Sequence, residues 1–164
     1  MSFINWLWNS FVGKIILTFF LSMVPVIELR GAIPLAVAHE LNFWVAFPVA
    51  VLGNLVPVPF IILFIRKIFD WMKKKSEKLS RLVDRMELKA QKKSAVVEKY
   101  KMLGLFILVA IPLPGTGAWT GALVAAMLNM RIKNAILPIA LGVVTAGIIM
   151  AVISFSVKGA IGLM

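Results

Sequence analysis

A charged break in the first apolar stretch limits what this chain can fold into. Residues 15–27 are uncharged and largely apolar, but Glu28 and Arg30 follow at once, with Gly31 and Pro34 close behind. Charged side chains at membrane depth are costly, and a broken helix persists there only when it is buried in protein or lines a wet cavity. Any fold of this segment must therefore shield Glu28 and Arg30 from lipid, either by burying them in protein or by placing them in a hydrated cavity.

A second apolar run, residues 102–130, carries an uncharged break about 87 residues after the first. Its residues 112–117 include Pro112, Pro114 and Gly115, and a continuous helix cannot pass these without losing backbone hydrogen bonds. The same shift superimposes residues 35–42 on 122–129. Two breaks at equivalent positions of two similar halves indicate the binding site of a transporter.

The composition is that of an integral membrane protein, because 61% of the residues are hydrophobic, against about half in soluble domains. The absence of cysteine excludes disulfides and thiolate metal sites. One histidine and two acidic residues outside residues 66–101 leave too few groups for hydrolytic chemistry. We therefore predict no enzyme activity, catalytic residue, metal site or cofactor.

Two uncharged stretches, residues 43–65 and 134–157, are long enough to cross a membrane as helices. Between them, residues 66–101 carry 13 basic and five acidic side chains, a bias that keeps a loop in the cytoplasm. Both termini then lie outside. We expect the basic segment to form an amphipathic helix on the anionic headgroups of the inner leaflet, and not to bind nucleic acid.

The predicted fold is an all-α integral membrane protein built as an inverted repeat. Each half is a re-entrant helical hairpin, residues 15–42 or 102–130, followed by one transmembrane helix. The alternative is four simple spans, with the first helix running through Glu28 and Arg30. The single membrane domain then divides into an interfacial segment (1–13), a first repeat (14–66), a basic cytoplasmic helix (67–100) and a second repeat (101–164).

Glu28 and Arg30 are two residues apart and would point about 200° away from each other on a regular helix. They converge only if the chain breaks there, and Gly31 and Pro34 are the expected break. One interpretation is a neutralising ion pair at the mouth of a hairpin. The other is functional, in which Arg30 holds an anionic group of the substrate and Glu28 exchanges a proton.

The second break contains hydrogen-bond donors but no charged side chain. Gly115 and Gly117 leave backbone amides open to close approach, and Thr116 and Thr120 add hydroxyl groups. A helix that starts at Gly117 would aim its amides and its positive dipole end at the break, which suits a phosphate or carboxylate. The alternative is a packed turn in which small residues let helices approach.

A third irregular segment interrupts the first predicted span. Asn54 and Pro57 lie within residues 53–59, where an amide and two prolines predict a kink that makes room for the hairpin.

Residues 25–34, 53–59 and 111–121 together resemble the small multidrug export family of prokaryotic membrane proteins. The layout is also similar, more loosely, to the DedA (VTT) superfamily. That resemblance implies paired re-entrant hairpins with acidic and arginine residues, and a lipid-carrier substrate. The second break here has no arginine, so the fit to DedA is incomplete.

We expect a transporter or lipid flippase, linked to protons, for an amphipathic and anionic substrate in a prokaryotic plasma (inner) membrane. The chain would be multi-pass, surrounded by membrane lipids, and homo-oligomeric. The alternative is a non-transporting membrane scaffold that recruits partners through its basic central helix.

Overall fold

The computed structural model describes residues 7–92, 100–113 and 115–162. Throughout these residues the chain forms helices joined by turns, which confirms the predicted all-α class. In chain order the helices are α1 (Phe11–Met23), α2 (Glu28–Ala38), α3 (Phe43–Leu55), α4 (Pro57–Lys75), α5 (Glu77–Lys92), α6 (Lys101–Ala110), α7 (Ala118–Met127) and α8 (Ile132–Gly162).

Within the described residues, two helical segments are long and apolar enough to cross a membrane. They are Phe43–Lys75, formed by α3 and α4, and Ile132–Val157 within α8. The two run antiparallel, because the Phe43 ring lies 5.4 Å from that of Phe155 while Arg66 donates to the Met130 carbonyl just before α8. The predicted span 134–157 therefore lies within one helix, and the predicted span 43–65 lies within the segment formed by α3 and α4.

The first apolar stretch forms two short helices that fold back on each other. The 13-residue α1 is only about 20 Å long, less than the hydrocarbon core of a bilayer. After the turn at residues 24–27, α2 returns along α1 and brings His39 onto the Trp8 ring, with 3.8 Å between ring centroids. A first helix that runs through Glu28 and Arg30, as four simple spans would require, does not form.

The other pair of short helices, α6 and α7, also forms a hairpin. Gly121 of α7 lies so close to α6 that a Cβ there would be 2.6 Å from Val109 Cγ2 and 3.7 Å from Leu105 Cδ1. The small residue thus allows the two helices of the hairpin to approach closely.

Both hairpins end in the same hydrogen-bonded cap. Glu40 and Asn129 have left-handed backbones, with φ of 60° and 50°. The next amide in each case bonds back five residues, Leu41 to Ala36 at 2.9 Å and Met130 to Ala125 at 3.0 Å. This is the Schellman arrangement, and it repeats at an offset of 89 residues.

The structural offset corrects the sequence superposition of residues 35–42 on 122–129, which is two residues out of register. Gly53 packs on the carbonyl oxygen of Phe19. In the same way, a Cβ built on Gly142 would lie 3.0 Å from the carbonyl oxygen of Phe106. The offset is therefore 87 between α1 and α6 but 89 between α3 and α8. It changes by two because the turn at residues 111–117 is three residues longer than the turn at 24–27, while α7 has 10 residues and α2 has 11.

The core lies where the two halves exchange contacts. The hairpin helix α2 packs on α8 of the other half, and α7 packs reciprocally on α4. Fully buried Ile33, Ile62, Val109 and Ile139 meet in this core. The broken ends of the hairpins are therefore held against the long helices of the opposite half.

The ends of the chain and its basic segment differ from the predicted division. Residues 1–6 of the interfacial segment lie outside the described residues, and α1 already begins at Phe11. The basic segment is not one helix, since α4 extends to Lys75 and Ser76 adopts an extended backbone before α5. Lys73 of α4 contacts Asp84 of α5 at 3.2 Å, so α5 is tied to the end of the long helix.

Candidate functional site

The first hairpin turns before Glu28, which corrects the break predicted at Gly31 and Pro34. Both of those residues lie inside α2. A proline at the seventh position of the helix removes only the bond to the Arg30 carbonyl, whereas residues 24–27 leave the helical path altogether. Glu28 itself has a φ of 47° and is 3% exposed. The two charges therefore stand on the first turn of α2.

The second turn, residues 111–117, is stabilised by its own hydroxyl groups. Thr116 Oγ1 donates to the carbonyls of Ile111 at 2.9 Å and Leu113 at 2.8 Å, and Thr120 Oγ1 donates to that of Gly115 at 3.0 Å. Gly115 and Gly117 have φ angles of 80° and 133°, which residues other than glycine rarely adopt. Pro112 lies in this turn, and Pro114 lies outside the described residues.

Arg30 reaches from α2 to the broken end of the other hairpin. Its Nη1 donates to the carbonyls of Leu113 (2.6 Å) and Thr116 (2.8 Å), and its Nη2 to those of Ile111 (3.1 Å) and Val109 (3.3 Å). Carbonyls at a helix C-terminus lack intrahelical partners and carry the negative end of the helix dipole. Arg30 therefore caps the end of α6.

Glu28 caps the next helix of the same hairpin. One of its carboxylate oxygens accepts a hydrogen bond from the Trp119 amide at 3.2 Å, and the Ala118 amide also faces it. The carboxylate occupies the space where a side chain on Gly117 would lie. A negative charge at a helix N-terminus is favourable. Arg30 therefore caps the C-terminus of α6, and Glu28 caps the N-terminus of α7.

Trp119 makes the reciprocal contact to the first hairpin. Its Nε1 donates to the Met23 carbonyl at the end of α1, at 3.1 Å. Trp119 and Arg30 are 89 residues apart, the offset of the shared hairpin caps, and each bonds the end of the first helix in the opposite hairpin. The sequence reasoning missed Trp119, because an indole beside two threonines and two glycines carries no signal of a capping role.

The predicted substrate-binding residues converge on one pocket of about 270 Å³ between the two turns. Its lining includes Glu28, Arg30, Gly115, Thr116 and Thr120. Gly117 is buried directly behind it, against Glu28.

Asn54 faces Glu28 from the last turn of α3, one residue before α3 ends at Leu55 and three before Pro57 begins α4. The described residues contain no cluster of three or more histidine, cysteine or acidic side chains that could hold a metal ion.

The comparisons with known proteins identify a family. A family model described as "Putative small multi-drug export protein" matches residues 28–149, which is most of the chain and includes both turns. No curated protein and no solved structure gives a significant match. With its two long apolar helices, the chain is a membrane protein. It belongs to the small multidrug export family, as its sequence motifs predicted.

Proposed function

We propose that the chain is a proton-linked transporter or lipid flippase for an amphipathic, anionic substrate, and that the pocket between the two turns is its binding site. The observation that carries the proposal is the capping of both broken helix ends by Arg30 and Glu28. The contacts are reversible polar ones, at the point where two packed hairpins meet. The family description supports an export role in general.

The geometry suggests how a proton and an anion would be linked. Glu28 and an anionic substrate group would compete for the same amides at the start of α7. When Glu28 takes up a proton from water, its attraction to those amides weakens, and the substrate anion can replace it beside Arg30. Release of the proton restores the carboxylate and displaces the substrate. Proton and anion would then bind in the same state of the pocket.

The membrane arrangement is part of the proposal. We infer that the two hairpins are re-entrant and that the halves form an inverted repeat. The short hairpin helices, the shared Schellman caps and the reciprocal packing of α2 on α8 and α7 on α4 support this. Arg66 at the basic end of α4 and Met130 before α8 are in contact, which supports one cytoplasmic side for both.

Labelling of single introduced cysteines tests this topology in intact cells, since the chain has no native cysteine. With residues 66–101 inside and the termini outside, a membrane-impermeant reagent should label cysteines introduced at Ser2 and Ser156 but not at Ser76. Labelling at position 76, or protection of both other positions, contradicts the arrangement.

Substitution of Glu28 tests the proton-carrying role. We expect Glu28→Gln to fold but to lose proton-coupled movement of a fluorescent anionic lipid in liposomes, because the amide keeps the shape and cannot exchange a proton. Glu40→Gln is the matched control, since Glu40 is exposed and lies outside the pocket.

Thermal stability separates this role from a purely structural ion pair. If Glu28 only neutralises Arg30, the single variant should lose roughly 3–5 kcal/mol of stability, and adding Glu28→Gln to Arg30→Gln should cause no further loss beyond that of Arg30→Gln alone. That result would remove the proton-carrying role from the proposal.

Self-association is included in the proposal. Val26 and Leu113 rim the pocket and are 92% and 55% exposed, next to the half-buried Arg30. An opening with a guanidinium beside it is poorly suited to face lipid, which supports a second copy of the chain covering this side.

The second candidate function is a membrane scaffold that acts through its basic segment. It is favoured by α5, which is tied to α4 through Lys73 and Asp84 and exposes Leu82 and Leu88. We propose that these apolar side chains and the surrounding lysines lie on anionic inner-leaflet headgroups. Absence of any proton flux from a stably folded protein in liposomes favours this candidate over transport.

A further inference from the structure

Asn54 is a buried amide with no hydrogen-bond partner among the described residues. Its side chain is 1% exposed, and neither Nδ2 nor Oδ1 makes a bond of acceptable geometry there. Burial of a polar group without a partner is costly, so such groups are rare in folded proteins and call for an explanation.

The other half of the molecule shows that the fold does not need an amide at this point. Gly53 and Gly142 occupy equivalent positions, so Asn54 corresponds to Val143, which is fully buried in α8. An apolar side chain fills the same place in the second half. The amide of Asn54 therefore has a role specific to the first half.

The neighbour of Asn54 is the Glu28 carboxyl group. The other groups that face this carboxyl are Arg30 of the same helix and the amides of Ala118 and Trp119 on α7. The α7 amides bond the carboxylate, whereas the Asn54 amide faces it without a hydrogen bond of good geometry.

We propose that Asn54 is a positioning residue that holds the Glu28 carboxyl group when it carries a proton, an inference that rests on the proposed function. A carboxylate only accepts hydrogen bonds, whereas a carboxylic acid also donates one. A primary amide both accepts and donates, so it matches the acid with two bonds. Asn54 therefore receives Glu28 as it leaves the α7 amides, which frees those amides for an anionic ligand.

Infrared difference spectroscopy of the full chain in lipid vesicles tests this without any substrate. Spectra recorded between neutral and acidic buffer should contain a carboxylic acid C=O band that Glu28→Gln removes. In Asn54→Leu we expect that band at a higher frequency, because the carbonyl loses a hydrogen bond. Thr18→Val is the control, since Thr18 is equally buried and its hydroxyl donates only to the Lys14 carbonyl.

The outcomes separate this inference from the proposed function. A Glu28 band that stays at the same frequency in Asn54→Leu overturns the role of Asn54 and leaves Glu28 as the proton carrier. Absence of any Glu28 band overturns both. If Asn54→Leu does not fold, Asn54→Val, which copies Val143, is measured in the same way. Failure of both to fold shows that Asn54 is structural and overturns the inference.

Discussion

The two hairpin turns differ in almost every local property, although each reverses a pair of short apolar helices. The first turn, residues 24–27, is short and is followed by two charged side chains. The second, residues 111–117, is longer and has no charge, and its threonine hydroxyls bond its own carbonyls. The charged side chains that follow the first turn thus form hydrogen bonds with the helix ends on either side of the second turn.

The contacts between the turns are reciprocal but unequal. Arg30 and Trp119 occupy equivalent positions, and each donates to the end of the first helix in the opposite hairpin. Arg30 makes four bonds with a charged group, and Trp119 makes one with a neutral indole. Charge-assisted bonds are about twice as strong as neutral ones. The end of α6 is thus held far more firmly than the end of α1.

Replacement of Arg30 should cause the largest loss of stability. A smaller loss than that of the other variants would contradict the conclusion that Arg30 makes the stronger of the two reciprocal contacts. Arg30→Gln leaves the carbonyls at the end of α6 without their charged donor, and we expect a loss of roughly 3 kcal/mol in unfolding free energy. Denaturant titration in detergent measures it. The control is Arg131→Gln, an exposed arginine outside the pocket. Equal losses in the two variants would mean that the four bonds of Arg30 add nothing.

A methyl group on Gly117 should have the next largest effect. Gly117→Ala forces a side chain into the space of the Glu28 carboxylate and into a backbone region that is nearly exclusive to glycine. We expect a loss of roughly 2–3 kcal/mol. Gly115→Ala is the matched control, with a positive φ but open space around a built Cβ, and should lose about 1 kcal/mol. If Gly115→Ala costs as much, backbone strain alone explains the pair and Glu28 is not involved.

The smallest effect should come from the weaker of the two reciprocal contacts. Trp119→Phe removes the bond to the Met23 carbonyl and keeps most of the ring, so we expect a loss of about 1 kcal/mol. Trp44→Phe, at an 81% exposed position, serves as the control. A loss as large as that of Arg30→Gln would show that the two contacts are equally strong.

The sequence was sufficient for the long apolar helices and for the break at residues 112–117. Apolar length and proline or glycine content decide those features locally. Five of the residues predicted to bind substrate line one pocket, and their role in binding stays a prediction: Glu28, Arg30, Gly115, Thr116 and Thr120. A buried charge in an apolar run is unusual enough to be visible without a structure.

The details that failed depend on contacts between distant residues. Gly31 and Pro34 looked like the break, but the helix tolerates both once its start is fixed by Glu28 against α7. The superposition of residues 35–42 on 122–129 was wrong by two residues, because the turns and the helices that follow them differ in length. The four carbonyls bound by Arg30 could not be foreseen, since backbone acceptors leave no mark in a sequence.

The charges of the first turn also have a consequence for how the protein is made. Glu28 and Arg30 leave the ribosome 79 to 91 residues before the helix ends that they cap. During that interval the first half must enter the bilayer with neither charge in its final place. Until α6 and α7 have been synthesised, the two charges of the nascent chain must therefore be solvated by water, lipid headgroups or the insertion machinery. The contacts between the two halves can therefore form only after α6 and α7 have been synthesised.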